Sequence, residues 1–172
     1  MLLMAIDPGL SNTGLVLMAG TGSKNRTSSS ARLQVALSKT IRHAPAKRDL
    51  EALYTHCSEI TAEVLKVAGE HHPNIVVVED FVGYRGCDYI YLSQTPKLCA
   101  WLYSALTREG YEVVLQTSEI FRRNRKGNVA WVRDKVKEGV EVVPGALQCT
   151  NEHERSALAH AIYYLEGIGN EG

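Results

Sequence analysis

Two acidic residues stand where apolar runs of the sequence end. Asp7 follows the run 1–6, and Glu79 ends the run that begins at Ile75. Buried strands that lie side by side bring the groups at their ends to one edge of a sheet. Mg²⁺ binds a few such carboxylates together with water and substrate phosphates, so the pair predicts metal-assisted hydrolysis of a phosphodiester. For either residue alone, the alternative is a carboxylate that only caps a turn or helix.

A second group of polar residues lies on one face of the last predicted helix. At 100° per residue, Glu152, His153, Ser156 and His160 fall within about one 100° arc of a helix capped by Asn151. We expect these side chains to share one opening, where a histidine binds metal or transfers a proton. The alternative is the solvated face of an amphipathic helix.

The elements that must position these residues follow a simple order. Apolar runs and alternation predict strands at 1–6, 15–18, 33–37, 75–79 and 111–115. Helical spacing predicts helices at 47–71, 92–106, 129–136 and 152–165. Three antiparallel strands followed by helix–strand alternation predict an α/β fold with a mixed five-stranded sheet flanked by helices.

Composition limits the domain count and the kind of partner. A chain of 172 residues that is 45% apolar has room for one core, so residues 1–172 are predicted to form a single domain. With 19 basic and 19 acidic residues the net charge is zero, so nucleic-acid binding must come from a local basic patch.

Cysteine and histidine spacing gives no sign of a structural metal. The four cysteines form no CxxC pair and accompany no leader or long apolar span, which predicts a reduced, cytoplasmic protein with no membrane partner and no structural zinc. Four histidines have no spacing to carboxylates that selects a metal site and are predicted to be ordinary surface or core residues: His43, His56, His71 and His72.

Three short motifs together resemble a known family. They are Ile6-Asp7-Pro8-Gly9 with Asn12-Thr13-Gly14, the Val-Val-Val-Glu79 strand end with Phe81, and Ser156-Ala157-Leu158-Ala159 in the last helix. The chain resembles the RuvC Holliday-junction resolvases, particularly the divergent members of bacteriophages. The resemblance implies an RNase H-like fold and a homodimeric, Mg²⁺-dependent endodeoxyribonuclease that cuts four-way or other branched DNA in recombination, repair or phage DNA processing.

The resemblance also implies a role for each site residue. Asp7 and Glu79 match the first two catalytic acids of the family, while His153 and Ser156 match its last two positions, the second of which is normally Asp. It implies that Asp7, Glu79 and His153 bind two Mg²⁺ ions, or Mn²⁺ as a substitute, for an in-line displacement that leaves a 5′-phosphate. Ser156 departs from the pattern because a hydroxyl is a weaker Mg²⁺ ligand than a carboxylate, and Glu152 or His160 is the hypothetical compensating residue.

Candidate DNA contacts follow the last two strands. Arg122, Arg123, Arg125 and Lys126 lie within five positions, where cations would bind phosphates and offset repulsion from an acidic site. The resemblance implies that Phe81 stacks on unpaired bases near the strand-exchange point. The alternatives are solvated surface charge for the basic residues and packing beneath a loop for Phe81.

Three other functions compete with junction cleavage. An actin-like or sugar-kinase protein also begins with a strand and Asp-x-Gly, but this chain has no second Asp-x-Gly strand start for the second domain that closes over ATP. A junction-binding protein that has lost its nuclease would explain Ser156. An RNase H-like nuclease that acts on flaps, forks or structured RNA would share the fold and the carboxylates.

Overall fold

The computed structural model of the chain describes residues 1–21, 32–43, 49–80, 94–117 and 129–167. Its strands are β1 (Leu2–Asp7), β2 (Asn12–Thr21), β3 (Arg32–Arg42), β4 (Ile75–Asp80) and β5 (Val113–Thr117). Its helices are α1 (Leu50–His71), α2 (Gln94–Arg108), α3 (Val129–Lys137) and α4 (Glu152–Gly167), with a 3₁₀ turn at Ala146–Gln148. Among the described residues, no helix combines the length and the apolar character needed to cross a membrane.

The five strands form one mixed sheet in the order β3-β2-β1-β4-β5. β1 pairs antiparallel with β2, as β2 does with β3, whereas β4 pairs parallel with both β1 and β5. The predicted α/β fold with a mixed five-stranded sheet is confirmed. The largest differences are in β2 and β3, which are each six residues longer than the predicted strands 15–18 and 33–37. β5 begins and ends two residues later than predicted.

Side-chain alternation along β1 separates two cores on opposite faces of the sheet. Met4 and Ile6 pack in a core shared with α1 and α2, while Leu3 and Ala5 pack in a second core shared with α3 and α4. Asp7 is the next residue in the row of Leu3 and Ala5. The alternation that builds the cores therefore sends the Asp7 carboxylate toward α4.

The same alternation operates in the two parallel neighbours of β1. Val77 packs in the α4-side core and Glu79 follows it by two residues, while Val114 packs on that core and Gln116 follows it in β5. Glu79 and Gln116 lie opposite each other in the parallel register. Three parallel strands thus end with a polar side chain on the face covered by α4.

Gly14 allows α4 to approach this edge of the sheet. It pairs with Asp7 across the antiparallel ladder of β1 and β2. A Cβ atom placed on Gly14 would lie 2.2 Å from the carbonyl carbon of His153 and 2.7 Å from the backbone nitrogen of Glu154. Because those atoms are backbone, no side-chain rotation can relieve the contact, and only glycine lets the first turn of α4 lie directly on β2.

Replacing Gly14 by alanine is expected to destabilise the protein by about 1–3 kcal/mol, because the added methyl group overpacks the contact between β2 and α4. Urea denaturation would measure the free energy of unfolding. Gly69→Ala is the matched control, since a Cβ there meets no atom within 4 Å and alanine favours a helix by about 0.5–1 kcal/mol over glycine. Equal stability of Gly14→Ala and wild type would contradict this account of the β2–α4 contact.

Candidate active site

Asp7 and His153 form the first contact of the site. His153 is the second residue of α4, and its Nδ1 lies 3.0 Å from Oδ2 of Asp7. Burial raises the pKa of Asp7 to about 6; the negative charge of Glu79 adds to the rise, and His153 opposes it. The hydrogen bond to Asp7 raises the pKa of His153 above its ordinary value, against the effect of burial. A proton can therefore be held by this pair near neutral pH.

Glu79 is held by two residues of α4 that lie one turn apart. Oγ of Ser156 donates a 3.2 Å hydrogen bond to Oε2 of Glu79, and Nε2 of His160 lies 3.2 Å from the same oxygen. Burial acts to raise the pKa of Glu79, but its contacts with His160, Asp7 and Ser156 outweigh burial and hold the pKa below the ordinary value. Glu79 therefore loses its proton at a lower pH than Asp7 does.

Gln116 fixes the ring of His160 from the other side. The His160 ring is fully buried, and its Nδ1 lies 3.1 Å from Oε1 of Gln116. One ring nitrogen of His160 therefore faces Gln116 of β5, and the other faces Glu79 of β4. Gln116 was not predicted as a site residue, although its place two residues after Val114, level with Glu79, was a usable signal.

The two carboxylates have the surroundings of a divalent-cation site. The side chains of Asp7 and Glu79 are only 14% and 17% exposed, and the charge of Glu79 contributes to the raised pKa of Asp7. Two like charges in a poorly hydrated place repel unless a cation or a proton lies between them. Two carboxylates with the partly exposed imidazole of His153 fit a cation that also keeps water or phosphate oxygens.

Not every predicted site residue reaches this cluster. The structure brings together Asp7, Glu79, His153, Ser156 and His160. Glu152, predicted to share their opening, has a side chain that is 71% exposed and forms an ion pair with Arg133 of α3 instead. The predicted DNA-binding residues lie outside the described residues: Phe81, Arg122, Arg123, Arg125 and Lys126.

Glu154 anchors the start of α4 to the sheet, and it was not predicted as a functional residue. Its buried carboxylate accepts a hydrogen bond from Oγ1 of Thr40 on β3 at 2.5 Å and another from the backbone nitrogen of Thr150 at 2.8 Å. Burial acts to raise the pKa of Glu154, but these hydrogen bonds lower it overall. The predicted cap, Asn151, accepts from the backbone nitrogen of Glu154 at 3.0 Å, so the Asn-x-x-Glu spacing signals a capping box.

Comparison with known proteins identifies the fold. No family model and no curated protein sequence matches the chain. RuvC of Thermus thermophilus in complex with a Holliday-junction substrate is similar over 97% of this chain and 96% of its own, with a TM-score of 0.69 and 19% identity. The Fowlpox virus resolvase, in complex with Holliday-junction DNA, matches 98% of this chain and 99% of its own, with a TM-score of 0.57 and 11% identity.

A third similar structure is the yeast mitochondrial Holliday-junction resolvase, which covers 94% of this chain and 76% of its own with a TM-score of 0.59 and 8% identity. All three matches extend over nearly the whole of this chain. The protein therefore has the RNase H-like fold of RuvC and other Holliday-junction resolvases, as the resemblance of its sequence implied.

Removing the charge of Asp7 is expected to stabilise the metal-free protein. The pKa of Asp7 is 3.8 ordinarily and about 6 in the fold. The contribution of Asp7 to the free energy of unfolding therefore falls as the pH rises from 3.8 to 6 and stays lower above 6. Asp7→Asn should raise the free energy of unfolding in EDTA near pH 7 by on the order of 1–3 kcal/mol, with a smaller gain in more acidic buffer. Added Mg²⁺ should stabilise wild type and not the variant.

Urea denaturation with and without Mg²⁺ measures both effects, with Asp134→Asn on the exposed surface of α3 as the control that should change neither. A less stable Asp7→Asn in EDTA would show that burial of this charge does not oppose folding.

Replacing Glu154 by glutamine is expected to destabilise the protein by about 1–3 kcal/mol, because the amide group cannot accept from both Thr40 and Thr150 and a buried donor loses its partner. Glu152→Gln, two residues away on the same helix, is the control: it breaks only an exposed ion pair, which is worth about 0–1 kcal/mol. Chemical denaturation compares the two variants. Similar losses in both would remove the special role given to Glu154.

Proposed function

We propose that this protein is a Mg²⁺-dependent, structure-specific endodeoxyribonuclease that resolves Holliday junctions or closely related branched DNA. The observation that carries the proposal is the pair of enclosed carboxylates, Asp7 and Glu79, at one edge of a sheet whose fold is that of junction resolvases. Two of the similar structures are complexes with Holliday-junction DNA, which supports branched DNA as the substrate here.

Asp7, Glu79 and His153 would hold the metal, which supplies an activated water and neutralises charge on the attacked phosphate. Nδ1 of His153 lies 3.0 Å from Oδ2 of Asp7, so the two side chains would orient each other as ligands. Ser156 and His160 are positioning residues, because they contact Glu79 and hold Oε2 in place. In this arrangement Ser156 supports a ligand and need not be one.

DNA contacts are proposed on the segments that leave the carboxylate edge. Asp80 and Thr117, the last residues of β4 and β5, are opposite each other in the register, one residue beyond Glu79. The described parts of β4 and β5 therefore both end at this edge, and Arg122 follows Thr117 by five positions in the sequence. The proposed phosphate-binding and base-stacking residues are Arg122, Arg123, Arg125, Lys126 and Phe81.

A homodimer is proposed because a four-way junction is nearly two-fold symmetric and needs paired cuts. Supporting it, α1 and α2 carry an exposed aromatic pair, Tyr54 and Trp101, whose ring centroids are 5.5 Å apart. Tyr54 and Trp101 line a surface cavity together with Lys97 and Arg108.

We also propose a cytoplasmic location and a bacteriophage origin. The buried thiols of Cys57, Cys99 and Cys149 support the cytoplasmic location.

Junction cleavage is tested with labelled four-way junctions, forks, flaps and linear duplexes, incubated with Mg²⁺, Mn²⁺ or EDTA. The expected result is a pair of metal-dependent nicks with 5′-phosphate ends in the four-way junction, absent from Asp7→Asn while binding is kept. Junction binding without cutting would contradict the nuclease and favour the junction-binding alternative, and Ser156→Asp would then test whether serine silences the site. A preference for forks or flaps would overturn the substrate.

His160→Gln is expected to slow cleavage by about 10–100-fold and to raise the Mg²⁺ concentration needed for half-maximal rate, because residues that orient a metal ligand act through that ligand. His71→Gln at the exposed end of α1 is the control and should match wild type. A lower rate with an unchanged Mg²⁺ dependence would show that His160 does not act through Glu79.

A further inference from the structure

A second cluster of metal-binding side chains lies apart from the carboxylate site. His43 follows β3, and His56 and Glu59 lie on α1, on the face of the sheet opposite α4. One nitrogen or oxygen atom from each residue lies within 4.8 Å of the other two. The junction-cleaving function proposed above uses none of the three, and the sequence had assigned both histidines no role.

His56 is held in the orientation of a metal ligand. Its ring is buried, and Nε2 lies 2.5 Å from the carbonyl oxygen of Leu10. A carbonyl oxygen only accepts, so Nε2 carries the hydrogen, and in the neutral ring the lone pair is on Nδ1. Metal-binding histidines are commonly fixed in this way, with the second ring nitrogen donating to a backbone carbonyl.

The ring of His43 lies between two carboxylates of α1. Nε2 lies 3.4 Å from Oε1 of Glu63, and Nδ1 lies 3.9 Å from Oε2 of Glu59. The second distance is too long for a hydrogen bond. It is close to the separation of about 3.4 Å expected for two ligands that each lie ~2.1 Å from one tetrahedral ion. His56 is therefore held through Nε2 by a backbone carbonyl, and the ring of His43 lies between two carboxylates of α1 with Nδ1 facing Glu59.

We propose that His43, His56 and Glu59 bind a divalent transition-metal ion of the zinc class. Two imidazoles and one carboxylate favour such an ion over Mg²⁺, which prefers oxygen ligands alone. Three protein ligands leave the fourth tetrahedral position to water. Glu63 lies on the outer side of this cluster, 3.4 Å from Nε2 of His43.

The ion would stabilise the loop that joins Asp7 to β2. Besides the contact from His56 to Leu10, the backbone nitrogen of His43 donates to the carbonyl of Ser11 at 3.1 Å. From the second residue of β2, the buried Thr13 hydroxyl donates back to the carbonyl of Gly9 in this loop at 2.8 Å. Metal bound at this cluster therefore fixes the end of β3 and α1 against the loop that follows Asp7.

Zinc titration of a variant that lacks the carboxylate site tests the proposal without depending on nuclease activity. Glu79→Gln protein, freed of metal with EDTA, is titrated with Zn²⁺ by calorimetry and is expected to bind one ion per chain. Adding Glu59→Gln should weaken this binding by about 10-fold or more. Because the Glu59 side chain is 58% exposed, its replacement leaves the core intact.

The matched control is Glu70→Gln in the same background, on the exposed surface of α1 about three turns beyond Glu59, which should bind Zn²⁺ with unchanged affinity. Visible absorption of the Co²⁺-substituted protein gives a second reading: tetrahedral d–d bands are expected and should be lost in His43→Gln. Absence of Zn²⁺ binding to Glu79→Gln, or binding that survives both Glu59→Gln and His43→Gln, would overturn the proposal.

Discussion

The missing side chain at Gly14 lets the backbone of α4 rest on β2, and the geometry of the carboxylate site depends on that contact. Gly14 is the ladder partner of Asp7, so the backbone of His153 that lies against Gly14 also sets its ring beside the Asp7 carboxylate. Ser156 and His160 lie further along the same rigid helix and meet Glu79 because the helix starts at this point. Glu154 secures that start to β3 through Thr40. A shift of α4 by the width of a methyl group would move all these contacts together.

The site keeps two neighbouring carboxylates in different states through their partners. Both are enclosed, and burial acts on each to raise its pKa. Glu79 offsets this with donors from α4, whereas the partners of Asp7 are a histidine that lowers its pKa and Glu79 itself, whose negative charge raises it. The two carboxylates therefore have pKa values shifted in opposite directions, that of Asp7 upward and that of Glu79 downward.

Much of the fold was predictable because the local signals agree with one another. Apolar runs and helical spacing gave the order of strands and helices, and the ends of neighbouring buried strands predicted that Asp7 and Glu79 lie at one edge of the sheet. The helical arc of α4 correctly grouped His153, Ser156 and His160. It also included Glu152, which the structure does not bring to the carboxylates, because periodicity along one helix carries no information about Arg133 on another.

Contacts between segments that are distant in the sequence could not be predicted from local sequence patterns. His43 and His56 are 13 positions apart, at the end of a strand and within a helix, and only the packing of α1 against the sheet brings their rings to a centroid distance of 5.0 Å. Gln116 is a different case. The alternation of side chains in β5 predicts the face of the sheet on which Gln116 lies. Its partner His160 is 44 positions away, however, and its role depends on where α4 crosses the sheet.

The shared use of one Glu79 oxygen by Ser156 and His160 has a consequence for how such sites change during evolution. Ser156 donates a hydrogen bond to that oxygen, whereas an ionised aspartate at 156 could only accept one and would repel Glu79. The buried ring of His160 occupies the space on the other side of the same oxygen. Replacing serine by aspartate at position 156 therefore changes the hydrogen-bonding group that is needed at position 160. The effects of substitutions at positions 156 and 160 are therefore expected to depend on each other, because both residues contact the same oxygen of Glu79.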